Sequence, residues 1–423
     1  MLDINFIREN KDVVIAGAQK KHVKVDIEVL LALDDSRRAL TKEIDDMRAQ
    51  QNAVSEKMPN ASVDERAELI AQMKPLKETL QKKEEEIKIV VEQWRLLMLQ
   101  VPNVPDMSVP EGNTDADNQE VRVWGDKPKF DFEPKGHIEL MENLDMVDFE
   151  RGTKTAGFRG YFLKNAGAEL SFALWQFVFN HFMHKGGFTP IIAPSLVKRE
   201  PFVGTGYLPQ SEEDLYKAQD EMYLAGTAEV PTMAYYMDEV VERSELPIKF
   251  FAFSPCFRRE AGSYGKDTTG IVRVHEFFKF EQVVLCEASH EESVKHHEAL
   301  TTNAEELLQA LQLPYHVVIN CSGDLGLGQV KKYDIETWVP SEGKYRETHS
   351  SSYFHDFQTR RLNTKYRDAD GKLQYAHSLN NTALATPRIL VPLVENYQNA
   401  DGSITIPEVL RPYMNGKEKI SKA

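Results

Sequence analysis

Two apolar series that repeat every seven residues constrain the fold of the first hundred residues more than any other feature of the sequence. The first series is Leu30, Leu33, Arg37, Leu40, Ile44, Met47, Gln51, Val54 and Met58, and the second is Leu69, Met73, Leu76, Leu80, Lys83, Ile87, Val90, Trp94, Leu97 and Val101. The steps alternate between three and four residues, and charged residues are frequent at the positions between them. This 3.5-residue period is typical of a coiled coil.

The segment between the two series predicts how the helices are connected. Residues 59–62 read PNAS, a helix breaker followed by a serine that can act as an N-cap. A turn this short folds the second helix back on the first, so we expect an antiparallel hairpin over residues 28–101. Two helices of ~35 residues are roughly 50 Å long and must project from the body. Pro75 should kink the second helix or mark its start.

Composition excludes several classes of protein. The 423 residues carry 51 Lys+Arg and 66 Asp+Glu, a formal net charge of −15, so any contact with nucleic acid must rest on a local patch. No apolar run reaches the ~20 residues of a membrane span, and the charged start MLDINFIRENKD does not resemble a secretory signal. The three cysteines are widely spaced, which disfavours disulfides and a zinc site and favours a reducing cytoplasm.

The composition changes at two places and predicts three segments. Residues 1–101 form the helical domain with its arm, and residues 102–118, rich in Pro, Asn and Asp, are interpreted as a linker. Residues 119–423 alternate helical and β-rich stretches, some of which are separated only by loops. This pattern favours an α+β domain built on an antiparallel sheet over a doubly wound one.

The strongest candidate for chemistry is the segment 248–286, in which two β-rich runs flank a loop at 261–270. Between positions 258 and 281 the runs contain seven charged residues and a histidine, more than a buried hairpin tolerates without partners. Arg258 and Glu260 share one face of a strand, and beside Phe277 they could hold a phosphate and a base. A solvent-exposed charged hairpin is the alternative interpretation. Neither GxGxxG nor a Walker A motif occurs in the sequence.

These residues resemble the motifs of a known enzyme family. FRRE at 257–260, AGSYGKDTTG at 261–270 and RVHEF at 273–277 are similar to motif 2 of the class II aminoacyl-tRNA synthetases, most closely the seryl-tRNA synthetases. GGFTPIIAPSLVK, which contains Pro194, is similar to motif 1, the dimer element, and ALATPRILVPLVENYQ is similar to motif 3. TAE at 227–229 and YRETHSSSYFHDFQTRR at 345–361 also resemble family segments, and the resemblance covers essentially the whole chain.

The resemblance implies a fold and a set of nucleotide-binding residues. The fold would be a class II catalytic domain with a six- or seven-stranded antiparallel sheet, preceded by the coiled-coil arm. Arg258, Arg273 and Arg388 would be the catalytic arginines, with Arg258 on the α-phosphate and Arg388 covering adenine and reaching the γ-phosphate. The implied ATP-binding residues are Arg258, Arg259, Glu260, Val274, Phe277, Glu347, Thr348, His349, Ser350 and Arg388.

The resemblance also implies the amino-acid and metal sites. Serine would be bound by Thr227, Ala228, Glu229, Glu281 and Thr382, with Glu229 near its ammonium and Glu281 near its hydroxyl. Glu347 and Ser350 would supply oxygens to Mg²⁺. The implied cofactors are ATP and Mg²⁺, and no zinc is expected.

Several positions depart from the family pattern. His349, Ser351, Tyr353 and His355 replace Ser, Cys, Asn and Gly, and Asn381, Ala383 and Pro387 each replace a Gly. Thr382 replaces Ser but keeps a hydroxyl. We expect the changes at 381 and 383 to add bulk near the substrate, and Pro387 to occupy the first position of a helix.

The implied function is an ATP-dependent serine–tRNA ligase that forms seryl-adenylate and then charges tRNA(Ser), and also tRNA(Sec). It would act as a cytoplasmic homodimer joined through motif 1 around Pro194, with no membrane contact. Two alternatives remain open at this point. One is a paralogue that loads a small amino acid onto a carrier protein, and the other is a catalytically retired tRNA-binding protein.

Overall fold

The computed structural model of the chain divides into two compact units, Met1–Pro102 and Asn103–Ala423. The structure describes residues 1–262, 265 and 267–422. Ser263, Tyr264 and Lys266 of the predicted loop at 261–270 lie outside the described residues, as does Ala423. In the described part of the chain, no helix is long and apolar enough to cross a bilayer.

The first unit is entirely helical in its regular structure. Its helices are α1 (Ile4–Glu9), α2 (Lys11–Lys20), α3 (Ile27–Lys57) and α4 (Val63–Met98). Ser62 caps α4 as predicted, because its hydroxyl accepts from the Glu65 amide while the Glu65 carboxylate accepts from the Ser62 amide. α4 runs without interruption through Pro75, so the prediction that Pro75 marks the start of this helix is wrong.

α3 and α4 form the predicted antiparallel hairpin. Every member of both heptad series is at least partly buried, as expected for the apolar seam of a coiled coil. Opposite ends of the two helices meet: the Arg37 guanidinium lies 4.8 Å from the centre of the Trp94 ring, and Arg48 is 2.7 Å from Glu84. The arm is therefore held by an apolar seam flanked by ion pairs.

The second unit contains eight helices and eighteen strands among its described residues. The helices are α5 (His137–Asn143), α6 (Phe149–Ala156), α7 (Ala166–Lys185), α8 (Arg199–Thr205), α9 (Glu229–Met233), α10 (His290–Ala310), α11 (Phe357–Leu362) and α12 (Leu390–Asn396). The strands are β1 (Gln119–Trp124), β2 (Val147–Asp148), β3 (Phe162–Leu163), β4 (Thr189–Ile192), β5 (Leu196–Lys198), β6 (Tyr216–Lys217), β7 (Met222–Leu224), β8 (Val240–Glu242), β9 (Ile248–Phe257), β10 (Glu276–Cys286), β11 (Tyr315–Ile319), β12 (Lys331–Val339), β13 (Lys344–His355), β14 (Lys365–Arg367), β15 (Leu373–Tyr375), β16 (His377–Thr386), β17 (Ile404–Thr405) and β18 (Lys419–Ile420).

The central sheet confirms the predicted antiparallel α+β architecture, with one difference. Eight strands lie in the order β1-β11-β12-β13-β16-β10-β9-β4, and each neighbouring pair is antiparallel except β4 with β9. The sheet is thus larger than the six or seven strands expected and has one parallel edge. A parallel pair is possible there because residues 193–247 provide the long connection that parallel strands need.

One face of this sheet is covered and the other carries polar side chains. Leu174 and Phe182 of α7, Leu307 of α10 and Leu390 of α12 pack with Phe251 of β9 into the main apolar core. Because side chains alternate between the two faces of a strand, the residues between the core positions of β10, β13 and β16 point to the opposite face. That face contains the candidate site.

The segment interpreted as a linker makes specific contacts with the second unit. The Asn103 amide donates to the backbone carbonyls of Gly328 and Phe354 at 3.1 and 2.8 Å. Asp106 accepts a 2.9 Å hydrogen bond from the Tyr353 hydroxyl. These residues are therefore anchored on the second unit although they contain little regular structure.

Candidate active site

A cavity on the polar face of the sheet brings together most of the residues expected to bind ATP. Its lining is drawn from β10, β13, β16 and the loops beside them: Arg258, Glu260, Ile271, Val272, Arg273, Val274, Phe277, Lys279, Glu347, Thr348, Ser350, Thr382, Ala385, Thr386, Pro387 and Arg388. All three arginines expected to be catalytic are in this set. The described residues thus include a convergent basic site on the sheet.

A β-bulge in β13 places Glu347 and Ser350 on the same face. Two residues three positions apart lie on opposite faces of a regular strand. Thr348 is an extra residue of β13 in its pairing with β12. This insertion reverses the alternation of faces after it, so that Glu347 and Ser350 both line the cavity. His349 is turned to the helix-covered face, where it is 1% exposed.

A second bulge has the same effect in the adjacent strand. The pairing of β10 with β16 shifts between Phe280 and Glu281, and Ala383 is the extra residue of β16. Thr382 and Ala385, again three positions apart, consequently both line the cavity. Bulges next to active sites are a recurrent way of redirecting side chains.

Arg258 is fixed at the end of β9 by backbone and ring contacts. Its Nε donates to the Gly226 carbonyl at 3.2 Å, and its guanidinium lies 5.2 Å from the centre of the Phe277 ring. Arg273 donates to Glu260 at 2.6 Å across the same cavity. An arginine beside an aromatic face and a carboxylate provides contacts for a phosphate, a ring and an amino group at one place.

Positive charge surrounds Glu347 at the other end of the cavity. The Arg388 guanidinium donates to the Glu347 backbone carbonyl at 3.3 Å and lies 3.7 Å from its carboxylate. Burial opposes ionisation of Glu347, but the charges of Arg388, Lys332, Arg258 and Arg273 together lower its pKa. Glu347 is therefore an ionised, partly exposed carboxylate beside the Ser350 hydroxyl.

A second, more deeply buried cluster adjoins the cavity where Lys279 and Thr382 line it. Here Glu281 accepts hydrogen bonds from the Thr227 hydroxyl at 3.2 Å and from the Lys279 ammonium at 2.5 Å. Thr227 and Glu281 are 1% and 2% exposed. Small buried pockets with a few ionisable groups are suited to selecting small polar ligands.

Glu229 is the second carboxylate of this cluster. The Tyr207 hydroxyl and the Gln358 amide donate to its two oxygens at 3.1 and 2.7 Å. Burial, followed by the negative charge of Glu281, raises the pKa of Glu229 to about 7. Two buried carboxylates in one cluster favour a cationic ligand.

Comparison with known proteins assigns the chain to a family. The family model of the "Seryl-tRNA synthetase N-terminal domain" matches residues 1–105. The model of the "tRNA synthetase class II core domain (G, H, P, S and T)" matches residues 212–397. A serine–tRNA ligase of Deinococcus radiodurans is 48% identical over 100% of this chain and 99% of its own length. The chain belongs to the seryl-tRNA synthetase family. It is a class II aminoacyl-tRNA ligase.

Further relatives of the family agree with this assignment. A serine–tRNA ligase of Trichlorobacter lovleyi is 44% identical over the full length of both chains. The crystal structure of seryl-tRNA synthetase from Pyrococcus horikoshii complexed with ATP superimposes with a TM-score of 0.91, at 37% identity and full coverage of both chains. The cytoplasmic serine–tRNA ligase of Naegleria fowleri in complex with AMP gives a TM-score of 0.87 at 33% identity, covering 100% of this chain and 99% of the other.

Not every residue implied by the seryl-tRNA synthetase motifs lies in the cavity. The lining does not include Arg259, whose backbone N–H donates to the Asp214 carbonyl, or His349. Burial lowers the pKa of His349 to about 4, so this imidazole is neutral at physiological pH. Thr227, Ala228, Glu229 and Glu281 belong to the adjoining buried cluster instead of the lining.

Three residues of the candidate site were not predicted from the sequence. Lys279 lines the cavity and pairs with Glu281, and Tyr207 and Gln358 bind Glu229. The alternation of positions 277, 279 and 281 on one strand face could have identified Lys279. Nothing local marks Tyr207 or Gln358, because both reach the site from distant parts of the chain.

Asn381, Ala383 and Ser351, three of the departures from the seryl-tRNA synthetase pattern, lie on the helix-covered face of the sheet. Asn381 accepts from Gln282 at 2.6 Å and donates to the Ser350 carbonyl at 3.2 Å, and Ala383 packs in the main core. The expectation that these two residues add bulk near the substrate is therefore wrong. Ser351 accepts a 3.0 Å hydrogen bond from Thr301 of α10, on the same covered face.

The remaining departures are found at the ends of strands. Pro387 lies in a turn, and α12 begins only at Leu390, so Pro387 does not occupy the first helical position that we expected. His355 has a φ of 49°, a conformation that favours glycine. Its ring Nε2 lies 3.3 Å from Nδ1 of His290, at the start of α10, and it is not part of the cavity lining.

Proposed function

We propose that the protein activates L-serine with ATP to form seryl-adenylate and pyrophosphate, and then esterifies tRNA(Ser). The observation that carries this proposal is the juxtaposition of a basic cavity with a buried cluster that contains two carboxylates. Arg258, Arg273 and Arg388 line the cavity, and the pair of Thr227 with Glu281 lies next to it. ATP use is also supported by the ATP complex of the Pyrococcus relative.

In the nucleotide step, the chain acts by positioning and by charge. Arg258 would bind the α-phosphate, where negative charge builds up as the serine carboxylate attacks. Phe277 would stack on one face of adenine, Glu260 would accept from its amino group, and Arg388 would cover the other face. Opening the Glu260–Arg273 pair, at 2.6 Å, would free Arg273 for the phosphates. No protein nucleophile is needed.

The buried cluster would select serine. Glu229 would pair with the α-ammonium, and Glu281 and Thr382 would bind the side-chain hydroxyl. An amino acid without this hydroxyl would leave Glu281 with an unpaired, desolvated oxygen, which costs about 1–3 kcal/mol. This is how a small pocket rejects alanine or glycine.

Mg²⁺ is part of the same proposal. The ionised Glu347 carboxylate and the Ser350 hydroxyl are hard oxygen donors that both line the cavity. Mg²⁺ commonly takes one or two carboxylates together with substrate phosphates, so these residues fit the ion. When bound, Mg²⁺ would neutralise phosphate charge during adenylate formation.

The helical arm would bind tRNA. We propose that it recognises the shape and backbone of tRNA(Ser), and of tRNA(Sec) as well, because the outer surface of a long coiled coil does not offer a code for reading bases. The terminal ribose hydroxyl of the tRNA would attack the adenylate carbonyl and release AMP. A cytoplasmic location belongs to this proposal and is supported by three free, buried cysteines.

A homodimer through the motif 1 region is supported by an apolar groove on the second unit. Phe172 and Trp175 of α7, Ile192 of β4 and Phe253 of β9 line this groove. Ile192 and Phe172 are 85% and 58% exposed. Exposed apolar patches of this kind mark protein interfaces, and Pro194 lies two residues after the end of β4.

Serine binding should strengthen as the pH rises. The raised pKa of Glu229, about 7, leaves this carboxyl largely protonated near pH 6, whereas an ammonium pairs with the ionised form. We expect the KM for serine to fall about tenfold from roughly pH 6 to pH 8. The same shift makes the free protein lose stability as the pH rises from 4.5 towards 7. Serine-dependent exchange at saturating ATP measures the KM for serine at each pH, and a KM that does not change with pH would contradict this prediction.

Glu281→Ala should affect serine far more than ATP. Removing the buried carboxylate deletes the acceptor for the serine hydroxyl, so we expect the KM for serine to rise about 100-fold or more and the KM for ATP to change less than threefold. Steady-state exchange kinetics with each substrate varied in turn give both values. Equal increases in the two KM values would show that Glu281 does not have this role.

The proposed function is tested by ATP–pyrophosphate exchange with each of the twenty amino acids. We expect exchange with serine and at least 100-fold less with alanine, glycine, threonine and proline. Exchange with another small amino acid in place of serine would overturn the substrate. Exchange with serine but no charging of tRNA(Ser) would favour a carrier-loading paralogue, and no exchange at all would favour a retired tRNA-binding protein.

A further inference from the structure

Lys279 is a buried cation at the junction of the nucleotide cavity and the amino-acid pocket. It lies on β10 between Phe277 and Glu281, on the same strand face as both, and it is 6% exposed. It lines the cavity, and its ammonium is 2.5 Å from Oε2 of Glu281. A lysine buried to this degree requires a charged partner.

The contacts of Lys279 determine which oxygen of Glu281 can meet a ligand. Within the described part of the chain, the hydrogen bonds of the Glu281 carboxylate, from Lys279 and from the Thr227 hydroxyl at 3.2 Å, both fall on Oε2. In the proposed complex, Oε1 would be the oxygen that meets the substrate hydroxyl. The Lys279 side chain thus fixes the rotation of the carboxylate as well as its position.

Lys279 also balances the charge of the pocket. Burial first, and then Glu281, raise the pKa of Glu229, whereas the charge of Lys279 lowers it. The other ionisable groups that face these carboxylates are Arg258, the Tyr207 hydroxyl and the Cys256 thiol. Tyr207 and Cys256 have raised pKa values because they are buried, so both stay neutral near pH 7.

We propose that Lys279 is a positioning residue for serine: it orients Glu281 towards the substrate hydroxyl and allows Glu229 and Glu281 to be charged together when the ammonium binds. This inference rests on the proposed function. Two carboxylates without a nearby cation cannot both ionise easily in a buried site. With Lys279 present, the pocket can offer one charged oxygen to the ammonium and a separate one to the hydroxyl.

The test compares Lys279→Met with wild type in serine-dependent exchange from about pH 6 to pH 9. We expect the KM for serine to rise about 30-fold or more near pH 7 and the KM for ATP to stay within threefold. The acid limb of kcat/KM for serine should move about one pH unit higher, because Glu229 loses the nearby positive charge that lowers its pKa. Lys279→Arg, which keeps the charge, should return the limb towards the wild-type pH.

A matched control is Lys249→Met on the neighbouring strand β9, whose ammonium lies 5.8 Å from the centre of the Phe188 ring, away from the cavity. This variant should retain the wild-type KM and pH profile. A Lys279→Met profile that coincides with wild type, or equal increases in the KM values of serine and ATP, would overturn the inference. If wild type itself shows no exchange with serine, the proposed function has failed instead.

A second measurement separates positioning from a direct contact with substrate. Serinamide keeps the ammonium and the hydroxyl but has no carboxylate, and it can be assayed as a competitive inhibitor of exchange. If Lys279 acts through Glu281 and Glu229, Lys279→Met weakens serinamide and serine by similar factors. If only serine is weakened, Lys279 pairs with the substrate carboxylate and the positioning role is wrong. Binding of serinamide followed by calorimetry extends the test to a variant too slow for kinetics.

Discussion

Replacing Arg258 with alanine is expected to lower serine-dependent ATP–pyrophosphate exchange about a thousandfold, equivalent to roughly 4 kcal/mol of transition-state stabilisation. The arginine is held in place before substrate binds, by the Gly226 carbonyl at 3.2 Å and by the Phe277 ring. A donor that is already oriented does not have to reorganise as charge develops on the α-phosphate. The loss should therefore appear mainly in kcat.

Two further variants make this result specific. Arg258→Lys keeps the charge but loses the planar fork, so we expect an intermediate loss of about a hundredfold. Arg243→Ala removes an exposed arginine, paired with Glu287 at 2.9 Å, and should leave exchange within twofold of wild type. An Arg258→Ala enzyme with a normal kcat and only a raised KM for ATP would contradict the assignment of this residue to the transition state.

Shortening the arm should abolish tRNA charging and preserve adenylate formation. Residues 48–83 can be replaced by a short Gly-Ser turn, because Arg37 with Trp94 and Arg48 with Glu84 define the antiparallel pairing of α3 and α4. We expect serylation of tRNA(Ser) to fall at least a thousandfold, since the contact surface of the arm is lost. Exchange should stay within threefold, because the basic cavity is built by the second unit alone.

A matched control keeps the arm at full length. Replacing Arg48 and Glu84 together with alanine removes one exposed ion pair, which contributes about 0–1 kcal/mol, and leaves the apolar seam intact. This variant should charge tRNA within a few-fold of wild type. If the shortened protein still charges tRNA(Ser) at the normal rate, the arm serves another purpose, such as binding a partner protein.

The arm could be predicted in detail because its determinants are local. A heptad pattern specifies helix, seam and partner face through the geometry of neighbouring turns, and all nineteen heptad positions are at least partly buried. The cap at Ser62 followed from the same kind of local rule. The prediction for Pro75 was wrong in part, because α4 continues through this residue. Packing of α4 against α3 stabilises the helix by more than the backbone hydrogen bond lost at the proline costs.

Four residues of the cavity lining were predictable for a similar reason. Arg258, Glu260, Arg273 and Phe277 lie close together in the sequence and form a recognisable motif. The hydrogen-bond partners of Glu229 were not predictable, because Tyr207 and Gln358 are separated from it by 22 and 129 positions in the sequence. A sequence does not state which distant polar groups will satisfy a buried carboxylate.

The amino-acid sequence by itself determined the helical hairpin, the antiparallel sheet and the chemical types of side chain available to the site, since all three follow from periodicity and residue type. Only the tertiary structure decided which of those side chains face the cavity. The register of strand pairing leaves an extra residue at Thr348, where β13 pairs with β12, and at Ala383, where β16 pairs with β10. Each insertion reverses the alternation beyond it, which brings Ser350 and Thr382 to the ligand face and sends His349 and Asn381 beneath the helices.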